Sequence, residues 1–166
     1  VSFINCTNGS SEDANLGTVT SVYKCAGGLA GYCAGTSVSF SNCKNYATIN
    51  NSSTQNASGI MGQANTISLT DCSNMGTING NGSSTGSMVG YCGTKATVKD
   101  CTNNGALSSN ATVGGIIGKA CIPACTVVTY RVSVCVAVLH LEAFAFRNQI
   151  PMLDCGVGVK NLVVGA

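Results

Sequence analysis

The sequence predicts an all-β fold. It is a right-handed parallel β-solenoid (β-helix) of about four coils over residues 1–118, with repeats of 28–29 residues, closed by a divergent C-terminal capping segment over residues 119–166. Three observations carry this reading. Cys43, Cys72 and Cys101 lie 29 positions apart, whereas Gly62, Gly90 and Gly118 lie 28 apart. The apolar residues between them alternate at strand spacing and do not recur at helical spacing. Each unit is too short to bury its apolar face alone, so neighbouring units must stack.

Two nearly superimposable copies define the unit. S-G-I-M-G at residues 58–62 is followed by I-S-L-T-D-C at 67–72 and S-N-M-G-T-I at 73–78. G-S-M-V-G at 86–90 is followed by A-T-V-K-D-C at 96–101 and T-N-N-G-A-L at 102–107. An earlier copy runs through G-G-L-A-G at 27–31, V-S-F-S-N-C at 38–43 and K-N-Y-A-T-I at 44–49, and G-G-I-I-G at 114–118 opens a later one. Val38/Phe40, Ile67/Leu69 and Ala96/Val98 point inward from the first strand of each coil. Strict alternation from Ile67 would leave Cys72 outside, so the chain must bend at Asp71 to bring the thiol back in. A second run of period two then starts: Cys72, Asn74, Gly76, Ile78. A third short strand is centred on Met61, Val89 and Ile117. Three strands of about five residues, plus bends, make a triangular coil. Phe40, Leu69 and Val98 should stack in one core column, and Ile49, Ile78 and Leu107 in another. The intervening stretches 50–57, 79–85 and 108–112 are rich in Asn, Ser, Thr and Gly and read as turns.

Columns of identical residues are the chemical feature of such a stack. Cys43, Cys72 and Cys101, with Cys6, occupy one repeat position. Rungs are roughly 4.8 Å apart, but parallel Cβ vectors suit the disulfide dihedral poorly. The column therefore reads as buried free thiols acting as small apolar groups. Cys25 with Cys33, or Cys121 with Cys125, are the better disulfide candidates among the eleven cysteines. Cys121 to Cys125 is a C-x₃-C with no second pair, so no zinc site is expected. Asn45, Asn74 and Asn103, with Asn8 or Asn15 in the first coil, form a second column. Period two puts these amides inside, where they need partners, so they are expected to form a ladder. The polar turns stack along one edge. Asn51, Asn56, Asn81, Ser83 and Asn110 on that edge are the candidate binding surface.

The ends of the chain depart from the pattern. The first coil carries eight extra residues between Cys6 and Cys43, placed in a polar excursion that includes the adjacent acids Glu12 and Asp13. After Lys119 the next core cysteine and N-x-G are missing. The tail holds both prolines, the lone histidine and a long apolar run from Val127 to Phe146. That run partly alternates and also suits a short helix over 139–147. Its charged residues make it a poor membrane span. We expect it to cover the open end of the stack. Val1 already lies inside a repeat, so further repeats are expected in the parent chain.

The order G-[small/apolar]-[apolar]-G, then [apolar]-S/T-[apolar]-x-N/D-C-x-N-x-G-x-[apolar], resembles the GLUG-type repeats of bacterial and protist cell-surface proteins, over about residues 1–118. The resemblance implies an extracellular or cell-surface structural module and carries over no catalytic residue. Composition fits a display role. Charged residues are 8% and net charge is +2, with no cationic cluster, so no nucleic-acid partner is expected. The expected function is a non-catalytic structural or adhesive module, with no cofactor and no metal. Its expected partners are surface glycans or proteins of a host or neighbouring cell. Two alternatives follow from the same pattern. Asp71 and Asp100 stand on neighbouring rungs, at the separation of the carboxylates of a retaining glycosidase. The outward Ser39, Ser41, Ser68, Thr70 and Thr97 suggest a flat ice-binding face, which Lys99 interrupts. His140, two residues from Glu142, reads as an ordinary residue of the capping segment.

Overall fold

The computed structural model describes residues 1–12, 17–35 and 37–120, and beyond them the backbone of strands Ala124–Val127, Thr129–Val132 and Lys160–Val163. The fold is an all-β solenoid of about four turns, built from parallel sheets stacked rung on rung.

The coil has four sheets where three sides were expected. The first sheet joins Ser2–Ile4, Val38–Ser41, Met61–Thr70 and Val89–Lys99, with Ala30–Cys33 and Ile117–Ala120 pairing on the same long strands. The strand centred on Met61 is therefore not a separate side. It runs on unbroken into the Ile67/Leu69 segment. The second sheet stacks Thr7–Asn8, Lys44–Asn45, Ser73–Asn74 and Cys101–Asn103. The third stacks Thr18–Ser21, Thr48–Asn51, Ile78–Gly80 and Leu107–Ser109. The fourth stacks Ala26–Gly27, Ala57–Ser58, Ser84–Gly86 and Thr112–Gly114, and it emerges from the stretches that read as turns.

A bulge reconciles the two repeat lengths. Ala64 pairs with Cys92, but Thr66 pairs with Lys95, so Asn65 faces both Gly93 and Thr94. The long strand of the third coil thus holds one extra residue. Glycines before the bulge recur at 28, and cysteines after it at 29.

Register produces the expected core columns. Phe3, Phe40, Leu69 and Val98 are successive partners, as are Val19, Ile49, Ile78 and Leu107. Phe3 and Phe40 stack with ring centroids 4.7 Å apart. The bend before each cysteine is a left-handed residue: Asn5, Asn42, Asp71 and Asp100 all have φ between 52° and 56°. Asn and Asp tolerate that region best among residues with a Cβ, which explains why those two types fill all four of these bends. The bend restores inward facing, and Cys43, Cys72 and Cys101 are buried.

Glycine columns set how closely the rungs approach. A Cβ on Gly62 would collide with the Gly31 carbonyl oxygen, and a Cβ on Gly90 or Gly118 would crowd the carbonyl one rung below.

Two further strands carry the parallel register past residue 118. Ala124–Val127 pairs with Val89–Lys99, and Thr129–Val132 pairs with Cys101–Asn103, placing Tyr130 beside Cys101. Lys160–Val163 then pairs antiparallel with Thr129–Val132. The rest of the expected cap lies outside the described residues, including the 139–147 helix, His140 and Glu142. So do Asp13, Asn15 and the Cys121–Cys125 pairing.

Candidate functional site

The two predicted columns are internal. Asn8 donates from Nδ2 to Asn45 Oδ1 at 3.0 Å, Asn45 to Asn74 at 2.8 Å, and Asn74 to Asn103 at 2.9 Å. Each of the three inner amides also donates to the carbonyl two residues on, at Ala47, Gly76 and Gly105. The column crosses the coil. Asn45 and Asn74 reach so far that a Cβ on Gly28 or Gly59 would strike their side chains. The ladder is therefore a polar chord between two apolar clusters. One contains Met61, Leu69 and Cys72, the other Ile49, Ala57 and Ile78.

The thiols of Cys43, Cys72 and Cys101 each donate to the carbonyl two residues back, at 3.3 Å. Burial pushes the Cys43 thiol up. Cys72 and Cys101 titrate as a pair. The hydrogen bond between them pushes Cys101 up, reinforced by burial, and lowers Cys72. Cys25 and Cys33 are free thiols and not the expected disulfide. Cys25 Sγ is engaged instead by Gln55 Oε1 and Gln63 Oε1, both at 3.3 Å.

The expected edge divides. Asn81, Ser83 and Asn110 are exposed, and Asn110 donates to Asn81 across the rung. Asn51 and Asn56 are not on the surface; both are buried. Their amides replace missing sheet bonds at a corner. Asn51 Nδ2 donates to the carbonyls of Gln55 and Asn56, and its Oδ1 accepts from the Ser53 N–H. Asn56 Oδ1 accepts from the hydroxyls of Ser83 and Ser84 at 2.8 and 2.6 Å, and its Nδ2 donates to Gln63 Oε1 at 2.9 Å.

Asn56 leads to the site that sequence reasoning missed. Beside this corner lies a groove of about 440 Å³. Register places Tyr32, Gln63, Tyr91 and Lys119 side by side on four successive rungs of the first sheet, facing outward. Gln55, Asn56, Ser83 and Lys24 form the opposite wall. The Lys24 corner is pinned, because its carbonyl accepts from Ser21 Oγ at 3.0 Å and Ser53 Oγ at 2.7 Å. Tyr32 is 59% exposed. The volume suits a small ligand. The sequence hints at it through Asn56 and Ser83, already on the expected edge, and through the residue after each repeat glycine, which is tyrosine at Gly31-Tyr32 and Gly90-Tyr91. The four residues of the column otherwise share no chemistry.

No family model, curated protein or solved structure matches the chain. Function is therefore argued from the site itself. Among the described residues, no cluster of three or more His, Cys, Asp or Glu side chains could hold a metal ion, and no helix is long and apolar enough to cross a membrane.

The remaining candidates fall on other faces. Ser2, Ser39, Ser68 and Thr97 form one outward column of the first sheet, and Ile4, Ser41, Thr70 and Lys99 another. A lysine and an isoleucine break the second column, which a flat hydroxyl lattice would not have. Asp71 and Asp100 sit at the left-handed bend, and Asp100 lies 4.0 Å from Lys99.

Proposed function

We propose that this chain is a non-catalytic structural and adhesive repeat module of a larger cell-surface or secreted protein. The observation that supports it best is the structural use of the repeat's reactive residue types. The carboxylates of Asp71 and Asp100 stand where Asn5 and Asn42 do the same backbone job. The inner asparagines are bonded to one another, and the column thiols donate to backbone carbonyls. The outward columns that remain offer hydroxyls and amides, such as Asn50 with Asn79 and Asn81 with Asn110. Such a surface makes weak contacts that gain strength by multiplicity. The likeness of the repeat to GLUG-type surface repeats points the same way. The partners of such a module are glycans or proteins of a host or neighbouring cell, and additional repeats of the parent chain would supply the valency.

The test is an array of glycans and extracellular proteins probed with the chain as a monomer and as a tetramer on a multivalent carrier. Binding that strengthens with valency, without turnover of any bound polysaccharide, is expected. Turnover that disappears in Asp71→Asn or Asp100→Asn would replace this reading with a polysaccharide lyase or hydrolase.

A further inference from the structure

We propose that the groove between Tyr32, Gln63 and Lys119 on one wall and Lys24 and Gln55 on the other binds an anionic oligosaccharide. This deepens the surface-display reading and rests on it.

The argument begins with hydrogen-bond polarity. The acceptor ends of both glutamines turn toward Cys25. Its single thiol hydrogen is shared between Gln55 Oε1 and Gln63 Oε1, and Gln63 Oε1 also accepts from Asn56. Among the described residues no acceptor takes the NH₂ group of either glutamine. Asn56 Oδ1 is likewise filled by two hydroxyls. Two lysines line the groove and no carboxylate does. The two glutamine NH₂ groups and the two lysines make the groove rich in donors, and its charge is positive. A complementary ligand must be rich in acceptors and negatively charged.

The second strand of the argument is shape. Tyr32, Gln63, Tyr91 and Lys119 occupy consecutive rungs, so the wall runs about 14 Å from first to last at ordinary strand spacing. Lys24 belongs to the same end as Tyr32, so cations stand near both ends. The exposed Tyr32 offers a flat apolar face ending in a polar hydroxyl, which suits the axial C–H face of a pyranose ring. Tyr23, 79% exposed, stands beside Lys24, whose Nζ lies 5.8 Å from its ring centroid, and extends this aromatic end. A linear, acceptor-rich chain with ring faces and spaced anions matches this groove. A single small anion would leave most of it empty.

The test uses the full 166-residue chain and calorimetric titration with four probes. These are an oligogalacturonate, its methyl ester, a heparin-derived sulfated oligosaccharide, and inorganic phosphate. We expect at least one anionic oligosaccharide to bind about tenfold or more tightly than the neutral ester, with affinity falling as salt rises. Which of the two binds assigns the anion as carboxylate or sulfate. Lys119→Gln and Tyr32→Ala, both at exposed positions, should each weaken it severalfold while the thermal transition stays in place. Three results would overturn the proposal: no binding by either anionic oligosaccharide, equal binding of the ester, or phosphate binding as tightly as the sugar. Failure here, with valency-dependent binding still seen on the glycan and protein array, would leave the display function standing on another face. An array silent for every partner would remove both.

Discussion

Asn45 Nδ2 lies 2.8 Å from Asn74 Oδ1, although the two residues are 29 positions apart in the chain. Asn74 makes the same bond to Asn103, and each amide also closes a local bond to the carbonyl two residues on. Both hydrogens of the amide are thus used, one along the stack and one within the coil. That satisfies a fully buried polar group, which would otherwise cost roughly 1–3 kcal/mol.

Removing the middle rung should therefore cost more than removing the end. Asn74→Ala leaves Asn45 Nδ2 and the Gly76 carbonyl without their partner, and we expect a loss of about 3 kcal/mol. Asn8→Ala, at the half-buried end, should cost less than about 1 kcal/mol. Urea denaturation of both variants measures the difference, and equal losses would mean the ladder is not cooperative.

The bend position makes a sharper distinction between chemistry and conformation. Asp71 has φ of 54°, and Asn42 has 52° at the equivalent place. Asp71→Asn should leave stability within about 0.5 kcal/mol. Asp71→Val forces a β-branched residue into the left-handed region and should cost roughly 1–2 kcal/mol. Thermal unfolding of the two variants decides it.

Much of this was legible in the sequence because a repeat with alternating residues specifies both register and facing. Phe40, Leu69 and Val98 could only stack once the 29-residue spacing was seen, and a bend at Asp71 was required to turn Cys72 inward; that the bend is made by a left-handed residue came from the structure. The fourth sheet was hidden by composition. Residues 51–58 contain Asn, Ser, Thr and Gln, which resemble a turn, yet Asn51 and Asn56 are buried because they bond corner carbonyls and hydroxyls. The groove was hidden for a different reason. Tyr32, Gln63, Tyr91 and Lys119 each follow the recurring glycine of the repeat, so their position was readable, but two tyrosines, a glutamine and a lysine form no chemical pattern that marks a site.

One buried hydroxyl is a defect that can be repaired. Among the described residues, Thr85 Oγ1 is buried with no hydrogen-bond partner. Thr85→Val keeps the shape and removes the unsatisfied group, and should stabilise the protein by about 1 kcal/mol. A higher urea midpoint at unchanged slope is the expected signature.

Alkaline pH should destabilise the fold through two thiols. Cys43 and Cys101 are both raised above the ordinary thiol value of 9.0. Above pH 9 the unfolded chain loses these protons while the folded chain keeps them. Their contribution is therefore intact below pH 9 and is lost as pH rises further, by up to about 1.4 kcal/mol per pH unit for each thiol. Cys72 is shifted downward and adds no slope there. Cys101→Ala should flatten the alkaline limb of a stability–pH curve, and an unchanged limb would contradict the assignment.

The bulge opposite Asn65 has a consequence for how this architecture changes length. Chain can be gained or lost cleanly only in whole turns, and the correct quantum depends on where the cut falls. Excising residues 73–101 joins Cys72 to Thr102, which occupies the same rung position as Ser73, and every column closes up by one step. The same number of residues removed across the glycine column, where the quantum is one residue shorter, would misplace the stretch from the cut to the bulge by one residue and turn the inward Cys92 the wrong way, while the chain beyond the bulge, where Thr66 and Lys95 are partners, falls back into register. The molecule is in this sense counted in integers, and the bulge is where one integer becomes the next.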